Sequence, residues 1–423
     1  MGIKYSLPVI LITIFILLAL SASHVPITRD EPVNLRNTEN FKEWIKILFT
    51  HPSEAFKPEI LEKGWHSEGH HPSITRWLMA ISQAILGKCI SELTAARLVS
   101  WLFYIFLICV VYLFLRIDFD VFPALAGAWS ILLLPRVWGQ SLLASTYTPL
   151  VFFWFFSLFA IIKSENSKCW KWIILPISLG LMLSTKSTGL LIIFPLVWYF
   201  LKTNDTLKNK ILHPIIILIL SAFVLYITWP WLWSNPLGRI WEHIEAGKAE
   251  TGGLTFLWGK HLDFIPWYYT FLMTFLTTPL ILILSAFWSL YIEIRNPKKT
   301  VILLIITFII YEILFLSQPK LGIHGVRYFI PALIALAMFG GIGLFDIFER
   351  LIKKYNLYKL PKYIIHILII IYALIQLWIM SPNYLSYYNI LLGGSKSASE
   401  NGWEFRYWEE SIYELNKIDS SHF

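Results

Sequence analysis

The chain has 423 residues, of which 57% are hydrophobic, 17% aromatic and only 15% charged, with a formal net charge of +8. Soluble domains carry about 25% charged residues, so this composition excludes an ordinary soluble protein and points to a polytopic membrane protein. Its apolar runs are continuous over about 20 residues, which excludes the residue-by-residue alternation of a transmembrane β-barrel.

The predicted fold class is all-α, a polytopic helical bundle of about eleven transmembrane helices. The first span is Leu7–Ser23. With Lys4 before it and Ser21-Ala22-Ser23 at its end it also has the outline of a signal peptide, but the many later spans favour an uncleaved helix. Thr28-Arg29-Asp30-Glu31-Pro32 follows, placing two carboxylates close to where the chain leaves the membrane. Such a stretch reads either as a solvated interfacial loop or as a catalytic carboxylate held at the lipid surface.

A first large loop covers 24–71, and within it Phe41, Trp44, Ile45, Leu48 and Phe49 recur at helical spacing. That predicts an amphipathic helix over about 38–49, lying on the membrane. A second interfacial helix is predicted over 72–86, with Pro72 at its start, Gly87 beyond its end, and a stripe of Ile74, Trp77, Leu78, Ile81 and Ile85. Spans are then expected at Ala95–Leu115, Val121–Leu134 and Pro149–Ile162. The apolar stretch Trp172–Leu201 reads as two short spans about a polar turn at Lys186, and Leu212–Trp229 is the seventh span. A second large loop, 230–266, is aromatic and Gly-rich. The last spans are about Trp267–Ile292, Val301–Leu316, Tyr328–Leu344 and Ile364–Met380, before a polar-aromatic tail over 381–423. Residues 1–380 thus read as one transmembrane module with a short tail.

Charge placement orients this bundle. Lys4, Arg116, Lys163, Lys168, Lys171, Lys202, Lys208, Lys210, Arg295, Lys298, Lys299 and the 350–362 cluster fall on one side, which the positive-inside rule makes cytoplasmic. Both large loops and the tail then face outward, where an extracytoplasmic site at the plasma membrane is expected. No nucleic-acid partner is implied by the positive charge. The cysteines Cys89, Cys109 and Cys169 form no ligand pattern, and no P-loop or GxGxxG is present.

Several residues on the outward face could carry chemistry. His66, Glu68 and His70 alternate in Trp65–Pro72 and read as loop residues, as holders of a divalent cation, or as phosphate binders with His71 nearby. Lys186 is a charge between two apolar segments, and Arg327 opens the tenth span beside Tyr328. Arg97 opens the second span, and Arg76 lies in the second interfacial helix. Each is either an anchor that snorkels to the interface or a grip for a phosphate. A sugar phosphate ester of a lipid would need both kinds of group: cations for the leaving phosphate, and a carboxylate to take a proton from the attacking hydroxyl.

The motifs resemble those of the GT-C membrane glycosyltransferases, closest to the dolichyl-phosphate-mannose protein mannosyltransferase and aminoarabinose transferase group. Asp30-Glu31 resembles the acidic motif of the first external loop. His71-Pro72, Arg97 and Ser184–Gly189 resemble the loop-end HP, the opening of span two and the Lys-bearing turn. Trp229–Trp233, Pro266-Trp267-Tyr268-Tyr269 with Thr277-Thr278-Pro279, and Gly325–Tyr328 are similar to segments of a bacterial and archaeal branch. The tail Tyr384–Asn389, Gly393-Gly394, Tyr407-Trp408 is the most specific match.

The resemblance implies an integral membrane enzyme that moves a sugar from a polyprenyl-phosphate donor to a protein, lipid or glycan acceptor, with inversion. Asp30 would be the base and Glu31 its support. Tyr147 stands where relatives often carry an acidic residue, so an acceptor-positioning role there passes to Glu31 or Glu68; Trp267 and Tyr268 would add loop contacts. Many relatives also continue into a soluble domain, so acceptor recognition here is expected to use the loops. The alternative is a transporter or flippase of a lipid-linked saccharide, which polar groups at mid-span such as Glu312, His366 and Gln376 would favour.

Overall fold

The computed structural model describes residues 3–28, 30–65, 72, 74–249, 255–262, 265–313 and 325–403. Helix α1 is Ile3–Ala22, and α2 is Glu31–Thr50, followed by α3 Pro52–Ala55 and α4 Pro58–Trp65. Then come α5 Ile74–Leu86, α6 Glu92–Leu115, α7 Val121–Trp129, α8 Pro135–Ser141 and α9 Tyr147–Lys163. After a π turn at Trp170–Ile174, α10 is Leu175–Leu183, α11 Ile193–Leu201, α12 Leu207–Thr228 and α13 Pro236–Ala249. A hairpin of β1 Thr255–Leu257 and β2 Lys260–Leu262 pairs Phe256 with His261. It turns through Trp258 and Gly259, both at positive φ. The last elements are α14 Tyr269–Thr277, α15 Leu280–Glu293, α16 Lys299–Ile313, α17 Ile330–Lys354, α18 Ile364–Met380 and α19 Gly394–Glu400.

The protein is an all-α membrane bundle, as the composition predicts, but its helices are more broken than eleven uniform spans. By length and composition three described helices can each cross a membrane, or up to five spans if each bent pair counts as one. The expected span Val121–Leu134 instead continues past a 76° bend into α8, because Pro135 cannot donate to the preceding turn. The expected span Trp267–Ile292 is two helices meeting at 111°, with Pro279 at the corner. The stretch around Lys186 does form two short helices: α10 ends at Leu183, Lys186 is extended, and a 3-10 turn over Ser187–Ile192 leads into α11. The second large loop contains a whole helix, α13, where the sequence reading placed a loop.

The chain forms two compact units. One comprises 1–27, 105–142 and 252–423; the other comprises 28–104 and 143–251. In the first, α17 packs against α7 and α15 through glycines. A Cβ at Gly341 would meet the Ala126 carbonyl oxygen at 2.3 Å, and one at Gly343 would meet that of Ser285 at 1.9 Å. Helix contacts this close need small residues. In the second, an aromatic cluster holds the first large loop to the start of the second. Trp44 and Trp65 stack edge-on at 4.9 Å, Phe41 stacks on Trp77 at 5.3 Å, and Trp229 and Trp231 complete the cluster. Trp231 donates to Glu62, which also pairs with Arg239.

The obstacle at Gly343 is backbone, which no rotamer change relieves. Gly343→Ala is therefore expected to cost about 1–3 kcal/mol, seen as a lower melting temperature of the detergent-purified protein. An unchanged melting temperature would show that α15 and α17 are not this close.

Candidate active site

The acidic pair lies at the start of a helix rather than in a loop. Asp30 occupies the N-cap position of α2, Glu31 is its first residue, and Pro32 sits in the first turn. The helix starts well before the expected 38–49, because Glu31, Asn34, Asn37 and Thr38 are buried on the side that carries Phe41 and Trp44 further along. A buried polar stripe thus extends the apolar one, and the two residues of the pair meet different surroundings.

Glu31 is 1% exposed and accepts five hydrogen bonds. Arg97 donates from Nε at 2.7 Å to Oε1 and from Nη2 at 2.8 Å to Oε2. The backbone N–H of Ala144 donates to Oε1 at 2.9 Å, while Thr28 donates its N–H and hydroxyl to Oε2. This two-pronged charge pair ties α2 to α6 and to the segment before α9. Asn34 extends the network. It donates to the Ala144 carbonyl at 2.8 Å and accepts from Arg76 Nε at 3.3 Å. Arg76 and Arg97 are each 4% exposed. The structure therefore shows both arginines in contact with α2.

Asp30 is only partly buried, and its side chain makes no capping bond to α2. Its backbone is fixed all the same: its carbonyl accepts from Asn34 N–H, and Glu31 N–H bonds back to Thr28. Glu31, with its lone pairs engaged, thus holds in place the partly buried residue beside it.

Lys186 is in the same unit, 5% exposed. Its Nζ donates to the Tyr147 hydroxyl at 3.0 Å and stands 4.3 Å from that ring's centre. Tyr147 opens α9, three residues beyond Ala144, so one short segment carries contacts to both Glu31 and Lys186. The turn bearing Lys186 is fastened by the Ile74 N–H bond to the Ser184 carbonyl, and by Ser184 against Thr228.

The remaining expected residues do not join this cluster within the unit. Arg327, 9% exposed, belongs to the other unit, where it faces the Tyr328 ring and hydroxyl. Trp267 and Tyr268 also belong there, edge-on to one another at 5.7 Å and largely exposed. His66, Glu68, His70 and His71 lie outside the described residues, as do Tyr407 and Trp408. Among the described residues no group of three His, Cys, Asp or Glu side chains could hold a metal. Sequence reasoning missed Thr28, Asn34 and the Ala144 backbone. The spacing of Glu31, Asn34, Thr38 and Phe41 was the available signal for Asn34.

Residues 70–233 match the family model described as dolichyl-phosphate-mannose-protein mannosyltransferase. Among solved structures, ArnT from Cupriavidus metallidurans bound to undecaprenyl phosphate has a TM-score of 0.58 and 16% identity, over 79% of this chain and 59% of that one. An oligosaccharyltransferase from Archaeoglobus fulgidus in the apo form has a TM-score of 0.55 and 13% identity, over 89% of this chain and 56% of that one. AglB from the same organism, in complex with an inhibitory peptide and a dolichol-phosphate, has a TM-score of 0.54 and 13% identity, over 99% and 58%. The chain thus spans less than two thirds of the length of these proteins. No curated protein matches by sequence. The resemblance to the protein mannosyltransferase and aminoarabinose transferase group holds: this is an integral membrane protein with the GT-C fold.

Removing one partner of a fully buried ion pair leaves the other charge stranded, at about 3–5 kcal/mol. Arg97→Met is expected to lose stability on that scale and Glu31→Gln less, since the amide still accepts from Ala144 or Thr28. Comparing their unfolding curves in detergent checks this. Equal, small losses would show that the pair does not hold α2.

Proposed function

We propose that the protein is an inverting glycosyltransferase that moves a sugar from a polyprenyl-phosphate donor to an acceptor hydroxyl on the extracytoplasmic face of the plasma membrane. The observation that carries this reading is the split in the acidic pair. Glu31 is saturated by Arg97, Thr28 and Ala144, while Asp30 stays partly open at the head of α2. ArnT and AglB, which share the fold, were solved with polyprenyl-type phosphates, and the family model supports the same chemistry.

Asp30 acts as the general base. It takes the proton from the acceptor hydroxyl as that oxygen bonds to the anomeric carbon. The bond from this carbon to the phosphate oxygen breaks, and its electron pair leaves on the carrier phosphate. Lys186 stabilises that developing charge. Its hydrogen bond to the Tyr147 hydroxyl orients the side chain. Arg327 is the second candidate for the phosphate. Glu31, Arg97, Arg76 and Asn34 hold α2 so that Asp30 meets its substrate in one geometry. The acceptor can be protein, lipid or glycan, and a divalent cation near His66, Glu68 and His70 is compatible with this scheme.

The flippase alternative relied on polar groups at mid-span. Glu312 is instead fully buried, accepting from Thr274 at 2.6 Å. His366 lies beside the stacked pair Phe122 and Phe345, 5.8 and 6.3 Å from their ring centres. Both are buried, as is Gln376; the acidic pair after the first span, which a flippase does not need, is what favours the enzyme reading.

With purified protein and a radiolabelled polyprenyl-phosphate sugar, Asp30→Asn is expected to lower transfer by about 100-fold or more with unchanged folding. Near-normal transfer by that variant would overturn the assignment. Lys186→Ala should slow transfer, and Lys186→Arg should keep part of the rate because the charge remains. If Ala and Arg behave alike, the charge is not what matters.

A further inference from the structure

The unit that contains the tail holds a large cavity unrelated to the acidic pair. Its volume is about 760 Å³, in the range of sites that bury a small ligand. One wall is a single face of α18, formed by Tyr372, Ile375, Gln376, Ile379 and Met380. The other wall is the segment after the helix, with Asn383, Ser386, Tyr387, Ser395 and Lys396.

The two walls differ in kind. On α18, Ile375 and Ile379 are 54% and 72% exposed, on a helix that is apolar apart from His366, Tyr372 and Gln376. In a membrane bundle such a face meets lipid chains. The second wall carries hydroxyls, an amide and the Lys396 ammonium, which is bare apart from Glu400 at 4.0 Å. The loop is built to stay where it is. Asn389 bonds through its side-chain nitrogen to the Phe275 and Thr278 carbonyls, and Tyr388 N–H bonds to Ser395. Gly393 and Gly394 both adopt positive φ, and a Cβ on Gly394 would meet nothing within 4 Å.

Gln376 is the feature this packing leaves unexplained. It is 91% buried, lines the cavity, and among the described residues neither its side-chain nitrogen nor its oxygen has a hydrogen-bond partner. A desolvated amide with no partner is costly. A molecule in the cavity with both an acceptor and a donor would satisfy it.

We propose that this groove binds an anionic phospholipid: its chain lies along Ile375 and Ile379, the polar junction meets Gln376, and the phosphate sits by Lys396 and Ser395. An apolar wall that opens onto lipid, a polar wall with a cation, and an amide lacking partners between them are the complement of such an amphiphile. The site is independent of the proposed transferase activity, and its occupant is a bilayer phospholipid rather than the polyprenyl phosphate of that reaction.

The test is native mass spectrometry of the full chain released from nanodiscs of mixed phosphatidylcholine and phosphatidylglycerol, with and without added polyprenyl phosphate. The wild type is expected to retain phosphatidylglycerol over phosphatidylcholine, with or without added polyprenyl phosphate, the lipid of the proposed active site. Lys396→Glu and Gln376→Leu should each weaken retention about tenfold, the scale of a lost charge-assisted hydrogen bond. Retention equal to wild type in both variants, or no preference over phosphatidylcholine, would overturn the proposal. Melting temperatures provide a second readout. Lipid-free Gln376→Leu should melt no lower than wild type, because it loses an amide that has no partner, and it should lose the stabilisation that added lipid gives the wild type. A lower melting temperature without lipid would mean that the protein itself satisfies Gln376, and would also overturn the proposal.

Discussion

The buried pair of Glu31 and Arg97 is the constraint on which the proposed active site depends. Two charges this deeply buried are costly unless nearly all their hydrogen-bonding capacity is met. Here the remaining acceptor capacity of Glu31 is filled by Thr28 and the Ala144 backbone. The arrangement pins the first turn of α2 to α6 and to the strap before α9. The helix start is thereby fixed, and so is the residue just ahead of it. Two adjacent carboxylates of the same chemistry thus meet different surroundings, Glu31 buried and Asp30 partly buried, and the proposed mechanism gives them different roles.

The same logic recurs wherever this fold interrupts its helices. Pro135 turns α7 into α8, Pro279 turns α14 into α15, and the Ser184–Lys186 turn separates α10 from the stretch leading to α11. A break frees backbone groups that would otherwise bond within the helix, and in lipid these need partners in the protein. At Ser184 the partners are visible: its carbonyl accepts from Ile74 and its hydroxyl meets Thr228. At Thr278 the carbonyl accepts from Asn389, in the tail motif that carries the most specific part of the resemblance. The polar residues that mark the chain's motifs thus satisfy broken helices as well as supplying candidate chemistry.

Much of the bundle was legible from apolar periodicity. Helix α18 runs over the residues expected, and the Lys186 turn was found because one continuous span would have reversed the charge pattern of the later loops. The start of α2 was not found, because a polar stripe such as Glu31, Asn34, Asn37 and Thr38 looks the same in sequence whether it faces water or a buried arginine. The partners that decide the matter lie 66 and 113 residues away from Glu31, and one of them is a backbone N–H with no side-chain signature. Helix α13 was missed for a different reason. Its apolar positions Leu237, Ile240, Trp241 and Ile244 do follow helical spacing, but Gly238 and the surrounding aromatics suggest a loop. The Asp30 position was readable from its place after the first span and the supporting role of Glu31 from the resemblance, whereas the partners that bury Glu31 needed coordinates.

The central claim is that a single carboxylate does the chemistry while its neighbour only holds it. One base and a direct attack by the acceptor give one displacement at the anomeric carbon. A second, nucleophilic carboxylate would give two displacements and net retention, and Glu31 has no free lone pair with which to supply it. The most direct measurement is the anomeric configuration, by NMR, of the product formed from a polyprenyl-phosphate sugar of known configuration. Inversion is the predicted result; a product of retained configuration would contradict the account.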